Sequence, residues 1–359
     1  MDNMNNTINS TRINYIDALR GFTMFLVVFG HVMTFSINLG GYDNVIWSIF
    51  VIFRMPLFFF VAGFLTYKLP SVWNFSFYYK NIKKKFLVQI IPTLFFFSLY
   101  MICKGGNPVS SLLSYGFDGY WFTIVLFEMF FIYFSIALLC HYFYVKHKSR
   151  IIDLILISIS IIGLVVLIFY RGIGGQMWSI LCLENLTKYF QFFVFGILCK
   201  KYLNKFVNII NSDYFKGGVI LLFIVCLVLY FNDSFQILYP LVYKGVHDIL
   251  IRYLGVLVVF ITFYHYRDIF EKKTIFNKYL LLIGQRTLDI YLLHYFLLPN
   301  LVFLKPVLAS NDMLLVQLIV ASLIAFVVIL ICLLLSNVIR VSDVLGSYLL
   351  GAKRSKKTS

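Results

Sequence analysis

Seven side chains able to carry a charge or a proton interrupt otherwise apolar stretches of this chain. They are Arg20 and His31 in YIDALRGFTMFLVVFGH, Arg54 in RMPLFFFVAGFL, Glu128 in YWFTIVLFE, and Arg286, Asp289 and His294 in GQRTLDIYLLH. An ionisable group in hydrocarbon is costly unless it is paired or faces a wet cavity, so these residues carry the functional information. Arg20 and His31 share one helix face about 16 Å apart along the axis, a cation near one membrane edge and an imidazole deeper in. Imidazole titrates near neutrality and suits proton transfer. Gly21 and Gly30 beside them admit the close approach of a neighbour or ligand. Arg54 lies at a similar depth on the following span, with Glu128 and His294 at that level on two more; Arg20, Arg286 and Asp289 form a second layer nearer the cytoplasm. Such layers predict a buried polar chamber. Each residue also has a bland reading: Asp17 with Arg20 and Arg286 with Asp289 as i, i+3 salt pairs, Arg54 as the partner of a buried carboxylate, His294 as a helix-to-helix hydrogen bond.

The elements that must hold these groups are membrane helices. Of 359 residues 61% are hydrophobic and 13% charged, too few charges to cover one water-soluble domain. Apolar runs long enough for the hydrocarbon core recur throughout and predict an all-α polytopic membrane protein of about ten spans: 16–37, 46–67, 86–103, 121–145, 151–170, 187–203, 217–231, 249–266, 279–304 and 313–336. The sixth and seventh are short, and an eight-span variant stands beside the ten. Most of the 31 Lys and Arg residues fall in alternate connections: Arg12; Lys68, Lys80, Lys83, Lys84 and Lys85; Lys146, Lys148 and Arg150; Lys200, Lys201, Lys205 and Lys216; Arg267, Lys272, Lys273 and Lys278; Arg340, Lys353, Arg354, Lys356 and Lys357. The opposite loops hold only Lys104, Arg171, Lys244 and Lys305. Positive-inside charge then places both termini in the cytoplasm, with a segment 1–15, one membrane domain 16–336 and a basic tail 337–359. Because the cations cluster between apolar runs rather than on one amphipathic face, the net charge of +16 marks topology, not a nucleic-acid partner. The six cysteines are widely spaced and predict neither a disulfide framework nor a metal site. Trp121, beside Tyr120, is an interfacial anchor, and Phe58, Phe59 and Phe60 read as packing or lipid-facing surface.

Four blocks, IDALRGFTMFLVVFGH, FRMPLFFFVAGFL, YWFTIVLFE and LDIYLLH, in this order and spacing, resemble the acyltransferase-three family of bacterial integral membrane acyltransferases. The likeness is specific in the first two, and the stretch from about 140 to 280 adds hydropathy rather than motifs. Two positions depart from the family pattern, Ala62-Gly63 for Ser-Gly and Thr123 for Leu, and they loosen the subgroup assignment. The resemblance implies transfer of an acyl group, usually acetyl, from acyl-CoA as co-substrate to a hydroxyl of an envelope or extracellular glycan, at the bacterial cytoplasmic membrane and with no bound cofactor. Its Arg-x10-His element is Arg20 and His31, and its Arg before Met-Pro is Arg54. On that footing His31 is the base for a hydroxyl nucleophile, with an acyl-His31 intermediate left open. Glu128 orients or balances the imidazole or meets the acceptor, and Arg54 stabilises an oxyanion or binds an acidic acceptor. Arg20 with Lys83, Lys84 and Lys85 meets CoA phosphates, although the lysine run also reads as ordinary positive-inside charge. His294, Arg286, Asp289 and Trp121 complete the expected substrate contacts. A transporter or flippase for a glycan or lipid intermediate is the alternative, since buried charges also mark transport paths, and a noncatalytic sensor is a third.

Overall fold

The computed structural model describes residues 13–41, 44–67, 73–143, 148–169, 175–310 and 313–352. The expected loop and tail cations Arg12, Lys68, Lys146, Arg171, Lys353, Arg354, Lys356 and Lys357 lie outside the described residues. Within them the chain is helical, with no strand. The principal helices are α1 (Asn14–His31), α2 (Val45–Thr66), α3 (Phe75–Lys85), α4 (Ile91–Cys103), α5 (Trp121–Tyr142), α6 (Lys148–Phe169), α7 (Leu183–Lys201), α8 (Asp213–Tyr230), α9 (Asp248–His265), α10 (Ile275–Gln285), α11 (Thr287–Leu297) and α12 (Leu314–Val341). Their starts follow local chemistry. Asn44, Asn74 and Thr274 each turn a side-chain oxygen back to a backbone N–H three residues on, capping α2, α3 and α10.

Eight stretches among the described residues are long and apolar enough to cross a membrane: Asn14–Ser36, Val45–Thr66, Phe75–Cys103, Asp118–Tyr142, Arg150–Leu167, Asp213–Tyr230, Gly245–His265 and Leu314–Val341. The two other expected spans take different forms. The one at 187–203 is α7, whose Glu184, Lys188, Lys200 and Lys201 make it more polar and whose middle is enclosed by protein. The one at 279–304 is not a single helix. α10 ends at Gln285, Arg286 has a non-helical backbone, α11 begins at Thr287, and after Leu297 the path bends by 79° into Val302–Leu308. Pro299 explains the second break, because the residue before a proline is pushed out of the helical region and Leu298 is indeed extended. α3 and α4 join through a π turn at Phe86–Ile90, so that span starts at Phe75, earlier than the apolar run predicts.

Two glycine crossings set the core. A side chain on Gly63 of α2 would strike the Phe193 carbonyl of α7, and one on Gly196 of α7 would strike that of Phe60. Gly21 of α1 and Gly284 of α10 meet in the same way, through the carbonyls of Leu280 and Asp17. Backbones this close are the membrane solution to packing without a hydrophobic driving force. Phe59 and Phe60 are wholly buried there, as packing surface, while Phe58 lines a cavity.

Pro56, inside α2, cannot donate to the carbonyl of Ile52. Arg252 of α9 donates to that carbonyl at 3.2 Å, and its guanidinium is held by Asp248 at 2.8 and 3.0 Å. Arg252 is buried, where it satisfies the acceptor that a proline one helix away leaves open. Arg252→Met strands both the carbonyl and the carboxylate and is expected to lower stability by about 1–3 kcal/mol. Thermal unfolding in detergent reads this as a lower midpoint.

Candidate active site

His31 ends α1, and the chain runs on through a π turn, Val32–Ser36, a wider coil that often marks functional sites. The turn is fixed from outside: Trp47 donates to the Thr34 hydroxyl at 2.9 Å and the Leu301 amide to the Ser36 carbonyl at 2.9 Å. The His31 ring meets that of His294 on α11, Nδ1 to Nε2 at 2.7 Å, with the ring planes 14° apart.

The partners of His294 assign the protons. Its Nδ1 faces the carbonyls of Ile290 and Tyr291 at 3.0 and 2.8 Å, and carbonyls only accept, so Nδ1 carries a hydrogen. In the neutral ring Nε2 is then an acceptor, and His31 Nδ1 must donate to it. His31 Nε2 is left with a free lone pair, the form a general base needs. Its one neighbour among the described hydrogen bonds is the Tyr295 hydroxyl, at a long 3.4 Å. That hydroxyl also lies 3.2 Å from the Gly119 carbonyl, which takes the Tyr291 hydroxyl at 2.8 Å as well.

Arg54 reaches the same place from α2. A side chain on Gly30, the residue before His31, would land on the Arg54 guanidinium, so the glycine makes room for it. The Nε and Nη1 of Arg54 are buried and have no hydrogen-bond partner. Unmatched buried donors are rare in proteins, and two on one cation beside an imidazole mark a place where a ligand acceptor fits.

Glu128, expected at this level, makes no hydrogen bond to either histidine. Its Oε2 is buried without a partner, and Cys182 is its electrostatic neighbour. The position that orients the His31 imidazole belongs to His294, not Glu128, and His294 is fully buried with both ring nitrogens engaged rather than open to substrate.

Arg20 lies apart from the histidine pair. Its Nη2 donates to the Thr287 hydroxyl at 2.8 Å and its Nη1 lies 3.4 Å from Asp17. It lines a cavity of about 640 Å³ whose walls include Phe58, Phe122, Phe130, Tyr133 and Tyr291, with Lys84 and Lys85 as its other cations. Lys84 is exposed, so the basic end is the mouth. Tyr291 shares a helical turn with His294, the rings 6.0 Å apart, so the cavity leads toward the histidine pair. Lys83, grouped with these lysines from sequence, does not line the cavity and sits near the Tyr79 ring.

Arg286 and Asp289 serve packing. The Asp289 carboxylate takes Nε and Nη2 of Arg340 at 2.9 and 2.8 Å, the Ser336 hydroxyl, and Arg286 Nη1 at 3.3 Å, locking α11 to α12. Neither lines the cavity, so the expected substrate contact gives way to the salt pair. Arg340, counted from sequence as a cation of the inner surface, reaches inward because the buried carboxylate needs it. Trp121 is half-buried at the start of α5, stacked on Tyr189 at 5.7 Å between ring centroids, and does not line the cavity. Sequence reading missed Tyr295, Tyr291 and Thr287. The signal for the tyrosines was their spacing, which sets Tyr291 one turn before His294 and Tyr295 next to it.

Among known proteins, no curated protein and no solved structure matches the chain. A family model described as an acyltransferase domain matches residues 13–337, nearly the whole chain, and takes in Arg20, His31, Arg54 and His294. An imidazole with a free lone pair beside an unmatched guanidinium, on helices that cross a membrane, accords with that match, and the chain belongs to the acyltransferase-three family of membrane acyltransferases.

Proposed function

We propose that this membrane acyltransferase moves an acyl group, acetyl first among candidates, from acyl-CoA to a hydroxyl of an envelope or extracellular glycan. It works in a bacterial cytoplasmic membrane with both termini on the cytoplasmic side. The observation that carries this reading is the hydrogen-bond relay that leaves His31 Nε2 free within reach of the unpaired Arg54 donors. The acceptor hydroxyl gives its proton to Nε2 as its oxygen attacks the thioester carbonyl. Arg54 receives the charge that develops on the carbonyl oxygen. The C–S bond breaks, the CoA sulfur takes the proton back from His31, and an ester and free CoA thiol leave.

The cavity gives the donor a path. Arg20, Lys84 and Lys85 suit the nucleotide phosphates, and the aromatic walls suit the pantetheine arm and acyl chain. Positive-inside charge puts that mouth at the cytoplasm, where acyl-CoA is made.

The test follows acyl-CoA consumption by purified protein supplied with an envelope glycan fraction. Wild type is expected to release CoA thiol only when the glycan is present and to label it with acyl. The Lys84→Ala, Lys85→Ala double variant is expected to raise KM for acyl-CoA by about tenfold, with a much smaller change in kcat, because each semi-exposed charge contributes about 0.5–1 kcal/mol. Absence of thiol release with every glycan fraction tried overturns the reading.

A further inference from the structure

We infer that Gln89 reads an amide on the arm of the acyl donor and so restricts the enzyme to pantetheine thioesters; this rests on the transfer reading above. Gln89 lines the cavity of about 640 Å³ that has Lys84 and Lys85 at its basic end. It is 8% exposed, and its Oε1 is buried with no hydrogen-bond partner. No described hydrogen bond uses its Nε2.

A carboxamide left unmet in a buried site costs stability, and a ligand that supplies its partners recovers it. Oε1 needs an N–H and Nε2 a carbonyl. Phosphates and an alkyl chain bring no N–H, whereas the pantetheine arm has two amides, each with an N–H and a carbonyl. A simple thioester or an acyl phosphate therefore leaves Gln89 unmet. Adenine also joins donors to acceptors, and position decides between the two.

Lys84 is exposed at the mouth, and Gln89 follows Lys85 by about one helical turn. From there the wall runs on to Tyr291, beside the histidine pair. With the phosphates at the lysines and the thioester at His31, the stretch between them is the arm, and adenine falls on the outer side. The place of Gln89 is fixed by its neighbours. It sits in the π turn Phe86–Ile90, and its carbonyl takes the Thr93 hydroxyl of α4 at 2.7 Å. The Thr93 hydroxyl lies 2.6 Å from that of Thr123 on α5, another lining residue. Thr123, one of the two positions that depart from the family pattern, thus ties the turn that carries Gln89 to the opposite wall.

Saturation-transfer NMR on the purified full-length protein tests this with three probes: S-acetylpantetheine, its analogue with esters in place of both amides, and the adenosine bisphosphate that remains when the arm is removed from CoA. Wild type is expected to bind the amide form about tenfold more tightly than the ester form, which has lost its N–H groups. Gln89→Met, apolar and of similar length, is expected to bring the two within about twofold of each other and to leave adenosine bisphosphate binding unchanged. Its unfolding midpoint is expected to stay level or rise, because no partner is stranded. Equal binding of amide and ester by wild type, no binding of either, or a preference that survives in Gln89→Met overturns the proposal. Loss of adenosine bisphosphate binding in Gln89→Met assigns the residue to adenine and overturns it too. Acyl-CoA consumption in the same preparations keeps the two readings apart. Amide preference without thioester consumption removes the transfer reading and leaves Gln89 as the reader; consumption by a wild type that ignores the ester exchange removes the role of Gln89 alone.

Discussion

His31→Ala is expected to lower acyl transfer by a factor of about 10²–10⁴ in a protein that folds and binds acyl-CoA normally. The size follows from what is lost. A sugar hydroxyl holds its proton tightly at neutral pH, and in a membrane interior no bulk water stands by to accept it. On the transfer reading proposed above the imidazole supplies the acceptor, and His294 keeps it in its useful tautomer, because its Nδ1 is committed to two carbonyls and its Nε2 to His31. His294→Ala is expected to cost less, since His31 stays but its ring is no longer oriented. A steady-state assay of acyl-glycan formation ranks the variants, and equal losses in a well-folded pair indicate that the two rings act as one unit. Unchanged transfer in His31→Ala removes the base from the account.

Arg54→Met is expected to reduce kcat by about 10²–10³ while leaving thermal stability unchanged or raised. The opposite signs are the point. A structural arginine such as Arg252, with a carboxylate and a carbonyl on its guanidinium, loses stability on substitution. Arg54 has two buried donors with nothing to bond, so an apolar side chain of similar length strands no partner and relieves a desolvated charge. On the transfer reading, what it removes is stabilisation of an oxyanion present only during reaction. A lower unfolding midpoint with full activity would assign Arg54 to packing.

The cost of charge in hydrocarbon made the centre of the site legible in the sequence. His31, Arg54 and His294 stand out because each lies deep in an apolar run, and similar depth from the ends of separate spans predicted a shared polar layer. His31 and His294 touch, and Arg54 fills the space left by Gly30. Depth places residues in a layer but says nothing of rotation about the helix axis, which is why Glu128 shared the predicted layer yet bonds to neither imidazole. Arg340 was hidden by position, since a cation at the end of the last long span reads as surface charge until Asp289 is seen facing it. Tyr295 was masked by abundance: it is one of 25 tyrosines, and only its place beside His294 sets apart the one that reaches the base. The break at Arg286 left no proline or glycine at its own position to announce it.

The most direct test follows CoA thiol release and acyl-glycan formation in one reaction, for wild type and a folded His31→Gln variant side by side. The account predicts matched amounts of thiol and acylated glycan from wild type and loss of both from the variant. Thiol and ester produced by the variant at the wild-type rate, or no thiol from wild type, contradicts it.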